Sequence, residues 1–164
     1  MAVRFSSVSS LDDPKVNALR HAIWQGAITN RFNAETAQDV GNAHEFLTDI
    51  ALPETGRFSN FDLADGYVDL RNNELIRSVA PTWRGLSIKE TAVAAIGYFE
   101  NRGLWIVKKN SDGSFSPELY RLTPQEAADS RAQISAKDEL GWNPEDPGQD
   151  RCESYQSSWD VEPW

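Results

Sequence analysis

The chain has 164 residues and a formal net charge of −9, which leaves room for one domain with a hydrophobic core but not for two of ordinary size. The acidity is concentrated at one end, because eight acidic residues and a single base, Arg151, lie between Asp138 and Trp164. The rest of the chain is nearly neutral, so the net charge disfavours a nucleic-acid partner only slightly.

Cysteine content and hydropathy exclude two further classes of protein. The single cysteine, Cys152, cannot form an internal disulfide, so the fold must depend on its core. No segment approaches the ~18 apolar residues of a transmembrane helix, and the amino-terminal residues lack the apolar run of a signal peptide. We therefore predict a protein that is cytoplasmic as synthesised, and a dedicated secretion system stays open as its route of export.

Helical periodicity and capping residues predict five helices, at about 14–32, 34–52, 67–80, 88–102 and 123–136. Asp13 before Pro14 is typical of a helix start, since aspartate caps the first turn and proline needs no donor there. Ser87 and Glu90 form a capping-box pattern for the fourth helix, and Gly103 is its predicted end.

A β-hairpin is predicted near 104–122, where an apolar β-branched run, a turn and a second short run follow one another. Pro117 restricts the second strand to the edge of a sheet. The predicted fold is mainly α: a compact bundle of about five helices with one short β-hairpin and an irregular acidic C-terminal tail. The boundaries are an extension at 1–12, a helical domain at 13–136 and the tail at 137–164.

The tail is rich in Pro, Gly, Ser and acidic residues, yet it carries Trp142, Trp159 and Trp164, half of the six tryptophans. Disordered segments are usually poor in aromatic residues. We therefore expect part of this tail to dock on its own domain or on a partner.

Three segments place polar side chains on predicted inner helical faces: ALRHAIWQG (18–26), GNAHEFLTD (41–49) and DLRNNELIR (69–77). In the second segment, His44 falls at helical spacing with apolar residues, so its imidazole is expected to face the core with Glu45 beside it. That row consists of Ala37, Val40, His44 and Leu47.

The third helix carries two polar features. Asn72 lies on its predicted inward row, which consists of Val68, Asn72, Leu75 and Val79. An adjacent polar row consists of Asp69, Asn73 and Arg77, four residues apart. In the first helix, His21 lies on an apolar row beside Trp24, so both histidines of the chain are predicted to face protein.

The polar cluster has a structural and a functional interpretation. A single interior histidine or asparagine is usually a hydrogen-bonding residue of the core, and we weight this about two to one for any one residue. Several buried polar groups together cost ~1 to 3 kcal/mol each unless all are satisfied, which favours function for the group.

Two chemistries suit this cluster. In the first, His21, His44 and a carboxylate from Glu45 or Asp69 bind a divalent metal ion with an open position for water. In the second, a histidine acts as general base or acid, a carboxylate orients it, and Asn73 or Arg77 holds developing negative charge. No H-E-x-x-H, cysteine pair, calcium loop or glycine-rich phosphate loop is present to decide between them.

The segments RHAIWQGAIT, GNAHE and DLRNNELIR resemble the Arg-His-Ala-x-Trp-Asn, Ala-His-Glu and Asp-Leu-x-Asn-Asn signatures of an uncharacterised bacterial domain found in secreted and toxin-like proteins. The likeness spans about 17–110. The matching positions are Arg20, His21, Trp24, Ala43, His44, Glu45, Asp69, Asn72 and Asn73. The sequence departs at Gln25, where the pattern has Asn, and at 74–77, where a Gly-Arg pair is common.

The leading hypothesis is a bacterial effector or toxin-type hydrolase acting on a lipid, cell-wall or phosphodiester bond. Its proposed catalytic residues are His21, His44, Glu45, Asp69 and Asn73, and its proposed substrate-binding residues are Arg20, Trp24, Asn72 and Arg77. A cognate inhibitor or a delivery protein is the partner that this hypothesis implies. The alternative is a non-enzymatic interaction module that docks through its acidic, tryptophan-bearing tail.

Overall fold

A computed structural model describes residues 13–44 and 49–138 of the chain. This part contains five α-helices, a short 3-10 helix at Ala80–Trp83 and an antiparallel hairpin of two strands. The elements are α1 Pro14–Arg31, α2 Ala34–His44, α3 Phe61–Val79, α4 Ile88–Asn101, β1 Leu104–Lys109, β2 Phe115–Tyr120 and α5 Pro124–Ser135. The predicted fold class is confirmed for the described residues, and the predictions for 1–12 and for the tail beyond Asp138 lie outside them.

The capping residues explain where most of the helices begin. The Asp13 carboxylate accepts a hydrogen bond from the Lys15 amide at 2.8 Å, at the start of α1. Ser87 with Glu90 forms a reciprocal capping box on α4, and Thr123 with Glu126 forms another on α5. Each box satisfies two backbone donors that a helix terminus would otherwise leave unpaired.

Two predicted helix boundaries are wrong. α2 does not continue to Leu52, because residues 49–52 are not helical, and Ile50 packs instead against α3. α3 begins at Phe61 rather than at 67, because the Asn60 side chain caps it by accepting from the amides of Asp62 and Leu63. Gly66 therefore lies inside the helix, where an added Cβ would be 2.8 Å from the Ile50 Cδ1 atom.

The core forms around α1, which packs against α2, α3 and α4. Alanines on α1 and α4 let the two helices approach closely around the larger side chains of Ile23, Ile96 and Phe99. A second, smaller cluster joins α3 to the hairpin through Phe58 and Val107. No helix in residues 13–44 or 49–138 is long and apolar enough to span a bilayer.

Asn72 holds α3 against the hairpin. Its side chain is fully buried; its Nδ2 donates to the Trp105 carbonyl at 2.8 Å, and the Trp105 amide donates to its Oδ1 at 2.8 Å. The side-chain amide of Asn72 thus pairs with the strand as a neighbouring strand would, and it satisfies both the backbone N–H and the backbone carbonyl of Trp105. This pairing gives Asn72 a structural role.

We expect Asn72→Ala to lower the free energy of unfolding by roughly 2 to 6 kcal/mol, because two partly buried backbone groups lose their partners at ~1 to 3 kcal/mol each. Urea unfolding followed by circular dichroism measures the change. Asn101→Ala is the matched control, since Asn101 is exposed and bonds only within its own helix. Equal stabilities of the two variants would refute the structural role of Asn72.

Candidate functional site

Two rows of polar side chains face each other across α1 and α3, and together we call them the polar ladder. Residues four apart lie on one face of a helix, so each row forms a line along its helix. The α1 row is Asn17, His21 and Gln25, and the α3 row is Asp65, Asp69, Asn73 and Arg77. The rungs join 17 to 69, 21 to 73 and 25 to 77, so the two helices run in the same direction.

The first rung is a carboxylate pair bridged by an amide. The Asn17 Nδ2 atom donates to the Asp69 Oδ1 and Oδ2 atoms at 3.0 and 3.2 Å and lies 3.3 Å from the Asp65 Oδ1 atom. The Asn17 Oδ1 atom accepts a hydrogen bond from the Arg20 guanidinium, which is exposed on the surface of α1. Burial raises the pKa of Asp65, whereas Asn17 and Arg20 oppose that shift. Arg20 therefore places a positive charge beside the half-buried Asp65 carboxylate.

The middle rung contains the buried histidine. His21 is 2 % exposed, its Nε2 atom is 3.3 Å from the Asp69 Oδ2 atom, and its Nδ1 atom is 3.2 Å from the Asn73 Oδ1 atom. Both ring nitrogens therefore face protein groups from α3. A histidine held in this way orients its neighbours, and neither nitrogen is directed at solvent.

Burial lowers the pKa of His21 to about 4, and the nearby Arg20 and His44 add to this shift; the Asn73 oxygen opposes it only while that oxygen, and not the NH₂ group, is directed at the Nδ1 atom. The contact with Asp69 does not require a charged ring, because a neutral imidazole can donate its Nε2–H to a carboxylate. In that tautomer the Nδ1 atom carries no proton, so it needs a hydrogen-bond donor as its partner. Turning the Asn73 amide about χ2 directs its NH₂ group at Nδ1, and within the described residues this group otherwise has no hydrogen-bond partner. We therefore assign His21 as neutral at pH 7.

This assignment predicts how stability depends on pH. Above about pH 6.5 both folded and unfolded His21 are neutral, and the protein has its full stability. As the pH falls from 6.5 to about 4, the unfolded chain takes up a proton that the folded ring excludes, so stability is lost, on the order of 3 kcal/mol in total. Urea unfolding at pH 7 and pH 4.5 measures this loss. A His21→Gln protein should lose distinctly less over the same interval, and an identical loss in both proteins would contradict a neutral His21.

The last rung lies beneath α2. The Arg77 Nη1 atom donates to the Gln25 Oε1 atom at 3.2 Å, and Gln25 is fully buried. Burial lowers the pKa of Arg77, which still stays charged at neutral pH. Gly41 lets α2 approach this pair, since an added Cβ would lie 2.7 Å from the Gln25 Nε2 atom. This end of the ladder is therefore closed by a helix.

His44 lies at the exposed end of α2, and the prediction that its imidazole faces the core is wrong. Within α2 the buried residues are Ala37 and Gly41, whereas Val40 is exposed, so the helix is rotated relative to the predicted row. The physical reason is close packing: small residues at i and i+4 allow α2 to approach the polar ladder, which the bulkier predicted row does not permit.

The rings of His44, Trp24 and His21 form one cluster at the edge of the ladder. The His44 centroid is 5.0 Å from that of Trp24 and 5.8 Å from that of His21, and the Trp24 and His21 rings are perpendicular at 6.0 Å. Edge-to-face packing of this kind holds ring orientations. His44 is therefore the accessible histidine of the cluster. Its ring packs against Trp24 and against the buried His21, which Asp69 holds in place.

The structure brings some of the predicted site residues together and separates others. His21, Asp69 and Asn73 are in direct contact, and Arg20, Trp24 and His44 border them. Asn72 faces the hairpin instead, and Arg77 lies at the far end of the ladder. Glu45 lies outside the described residues.

Asn17, Gln25 and Asp65 belong to the ladder but were not among the predicted site residues. The signal that could have found them is their spacing of four residues from His21 and Asp69, which continues each polar row by one turn in either direction. A search restricted to histidines and to the strongest motifs overlooks such residues.

The metal interpretation depends on a residue that is not described. Within residues 13–44 and 49–138, no three His, Cys, Asp or Glu side chains are arranged to hold a metal ion. Both nitrogens of His21 face protein, which leaves His44 as the described imidazole that is open to a ligand. The metal site predicted from His21, His44 and Glu45 or Asp69 includes Glu45, which lies outside the described residues, so it stays a prediction.

Residues 2–98, more than half of the chain, match a domain of unknown function, DUF6973. The chain belongs to this family. The DUF6973 region contains the whole polar ladder and the ring cluster, and it ends within α4, before the hairpin and α5. No curated protein and no solved structure matches the chain significantly. The family membership therefore locates the site within the shared region and assigns no reaction to it.

Proposed function

We propose that this DUF6973 protein is a hydrolase of the bacterial effector or toxin type, with His44 as the group that transfers a proton to or from water. The observation that carries the proposal is the exposed imidazole of His44, held on Trp24 next to the buried His21–Asp69 pair. An accessible histidine with a fixed ring orientation is the usual general acid or base near neutral pH.

The ladder residues have positioning roles in this proposal. Asp69 and Asn73 hold His21, and the His21 ring in turn supports those of Trp24 and His44. A buried, hydrogen-bonded scaffold keeps a reacting side chain in one orientation, which reduces the entropy lost on reaching the transition state.

Arg20 is the substrate-binding residue that the geometry favours most. Its guanidinium is exposed and anchored by Asn17, one residue from His21 in the chain. An anchored guanidinium can hold an anionic oxygen with two parallel hydrogen bonds, as a phosphodiester or a tetrahedral intermediate requires. This favours a phosphodiester or ester, including that of a lipid, over an uncharged cell-wall bond.

Glu45 follows His44 directly in the sequence and is proposed as the carboxylate that orients it or as a second ligand of a divalent ion. An ion bound by one imidazole and one carboxylate would supply an activated water at neutral pH. Synthesis in the cytoplasm, export by a dedicated system and neutralisation by a cognate inhibitor complete the proposal for an effector.

The proposal is tested with the purified chain on three substrates: a nitrophenyl phosphodiester, a nitrophenyl carboxylic ester and labelled cell-wall polymer. Each is assayed with chelator and with added Mg²⁺, Mn²⁺ or Zn²⁺, for the wild type and for Arg20→Ala. We expect hydrolysis of an ester and a raised KM in Arg20→Ala. Hydrolysis that is equal in wild type and Arg20→Ala would exclude the anion-binding role, and no hydrolysis under any condition would contradict the hydrolase.

A second function is favoured by the composition of the tail. The acidic segment from Asp138 carries three tryptophans, the residue type most often found at the centre of binding interfaces. In that case the protein is an interaction module and the ladder is structural. Deleting residues 141–164 should then abolish capture of the partner while α1 to α5 stay folded, and capture by the shortened protein would refute it.

A further inference from the structure

A shallow groove of about 600 Å³ lies along the first turns of α4, and none of the residues that line it belongs to the polar ladder. Its lining is mostly apolar and consists of Leu86, Ser87, Lys89, Glu90, Val93 and Ala94. Leu86 and Val93 are 36 % and 41 % exposed, which is high for large apolar side chains. An apolar groove of this size is suited to one aromatic side chain.

The carboxyl end of α5 is fastened beside this groove. The Lys89 Nζ atom donates to the Lys137 carbonyl at 2.9 Å and to the Ser135 carbonyl at 3.3 Å. Lys89 also lines the groove, so the chain passes Asp138 at its rim. The segment that follows Asp138 therefore starts next to an apolar surface.

We propose that Trp142 of the same chain occupies the α4 groove. Trp142 is four residues beyond Asp138, and four extended residues reach ~13 Å, about the length of the groove along α4. An indole can bury ~150 to 250 Å² of its own surface in a protein interior, and in the groove one face of the ring would lie against Leu86, Val93 and Ala94.

Distance and charge favour this occupant over the others. Trp159 and Trp164 must close much longer loops, which costs more entropy, and a tail from a second copy lacks the mM effective concentration of a short tether. The segment is acidic, whereas the groove is bordered by Lys89 and by the amino terminus of α4, where the helix dipole favours negative charge. Glu90 is the acid in the groove, and it is engaged by the Ser87 amide.

Fluorine NMR of the full chain labelled with 5-fluorotryptophan tests the proposal. Trp→Phe variants assign the signals of the six tryptophans. We expect the Trp142 signal to lie away from its position in urea and to resist broadening by a soluble paramagnetic agent. Val93→Ser should return it to the urea position, whereas Leu119→Ser, at an exposed apolar residue on β2, should not.

Three results would overturn the proposal. The Trp142 signal could lie at its urea position and broaden freely, which would leave the groove to another partner. It could be protected but unchanged by Val93→Ser, which would place it elsewhere on the domain. Its protection could disappear on about 20-fold dilution, which would assign the groove to the tail of a second copy.

Discussion

Replacing Asp69 with alanine is expected to lower the free energy of unfolding by roughly 2 to 5 kcal/mol. The Asp69 carboxylate accepts from the Asn17 Nδ2 atom at 3.0 and 3.2 Å and lies 3.3 Å from the His21 Nε2 atom. Without it, the buried His21 Nε2–H loses its acceptor and the Asn17 amide keeps only its longer contact with Asp65, and an unpaired buried group costs ~1 to 3 kcal/mol. Urea unfolding at pH 7 measures the change.

The matched control is Asp62→Ala, at an exposed aspartate in the first turn of the same helix. It removes the same kind of side chain from outside the ladder, where Asp62 acts on Asp65 only through its charge, and we expect a change of less than about 1 kcal/mol from its favourable place near the helix dipole. A double-mutant cycle with His21→Ala should give a coupling of about 0.5 to 3 kcal/mol, as for residues in one network. Additive effects of His21→Ala and Asp69→Ala would mean that the two side chains do not act together.

Replacing His44 with alanine is expected to reduce hydrolysis about 10²- to 10⁴-fold, the usual contribution of a general acid or base. Because His44 is exposed, we expect the free energy of unfolding to stay within about 1 kcal/mol of the wild type. The rate is measured on the substrate identified for the wild type, and the stability by urea unfolding of the same preparation.

Asp39→Ala is the control on the same helix, since Asp39 is also exposed and lies outside the ring cluster. It should keep both the rate and the stability of the wild type. If His44→Ala unfolds readily while its rate per folded molecule is unchanged, the imidazole is a structural residue and the proposed catalytic role of His44 fails.

The helix termini that carry side-chain caps could be predicted from the sequence. Asp13, Ser87 and Thr123 each begin a helix where expected, because a cap depends on residues three positions away and not on distant parts of the chain. The end of α2 could not be predicted in this way. Residues 49–52 are not helical, and Ile50 packs on α3 at Gly66, a contact between residues that are 16 positions apart.

In the candidate site, as in the helices, local spacing could be predicted from the sequence and contacts between distant residues could not. The spacing of four residues placed Asp69 and Asn73 on one row, and the structure adds His21 as their direct contact. The orientation of His44 was not predictable from its own helix, because the rotation of α2 is set by Gly41 approaching Gln25. Periodicity identifies the faces of a helix, and the neighbouring elements determine which face is buried.

Chemical modification with diethyl pyrocarbonate tests directly whether His44 is the exposed proton-transfer group and His21 the buried support, because the chain contains only two histidines. We expect that His44 is carbethoxylated rapidly, that His21 is protected until the protein unfolds, and that hydrolysis disappears at the rate of His44 modification. Mass spectrometry of peptides locates the modified ring, and hydroxylamine should restore the activity. Modification of His21 as fast as of His44 in the folded protein, or full hydrolysis after His44 is modified, would contradict these roles.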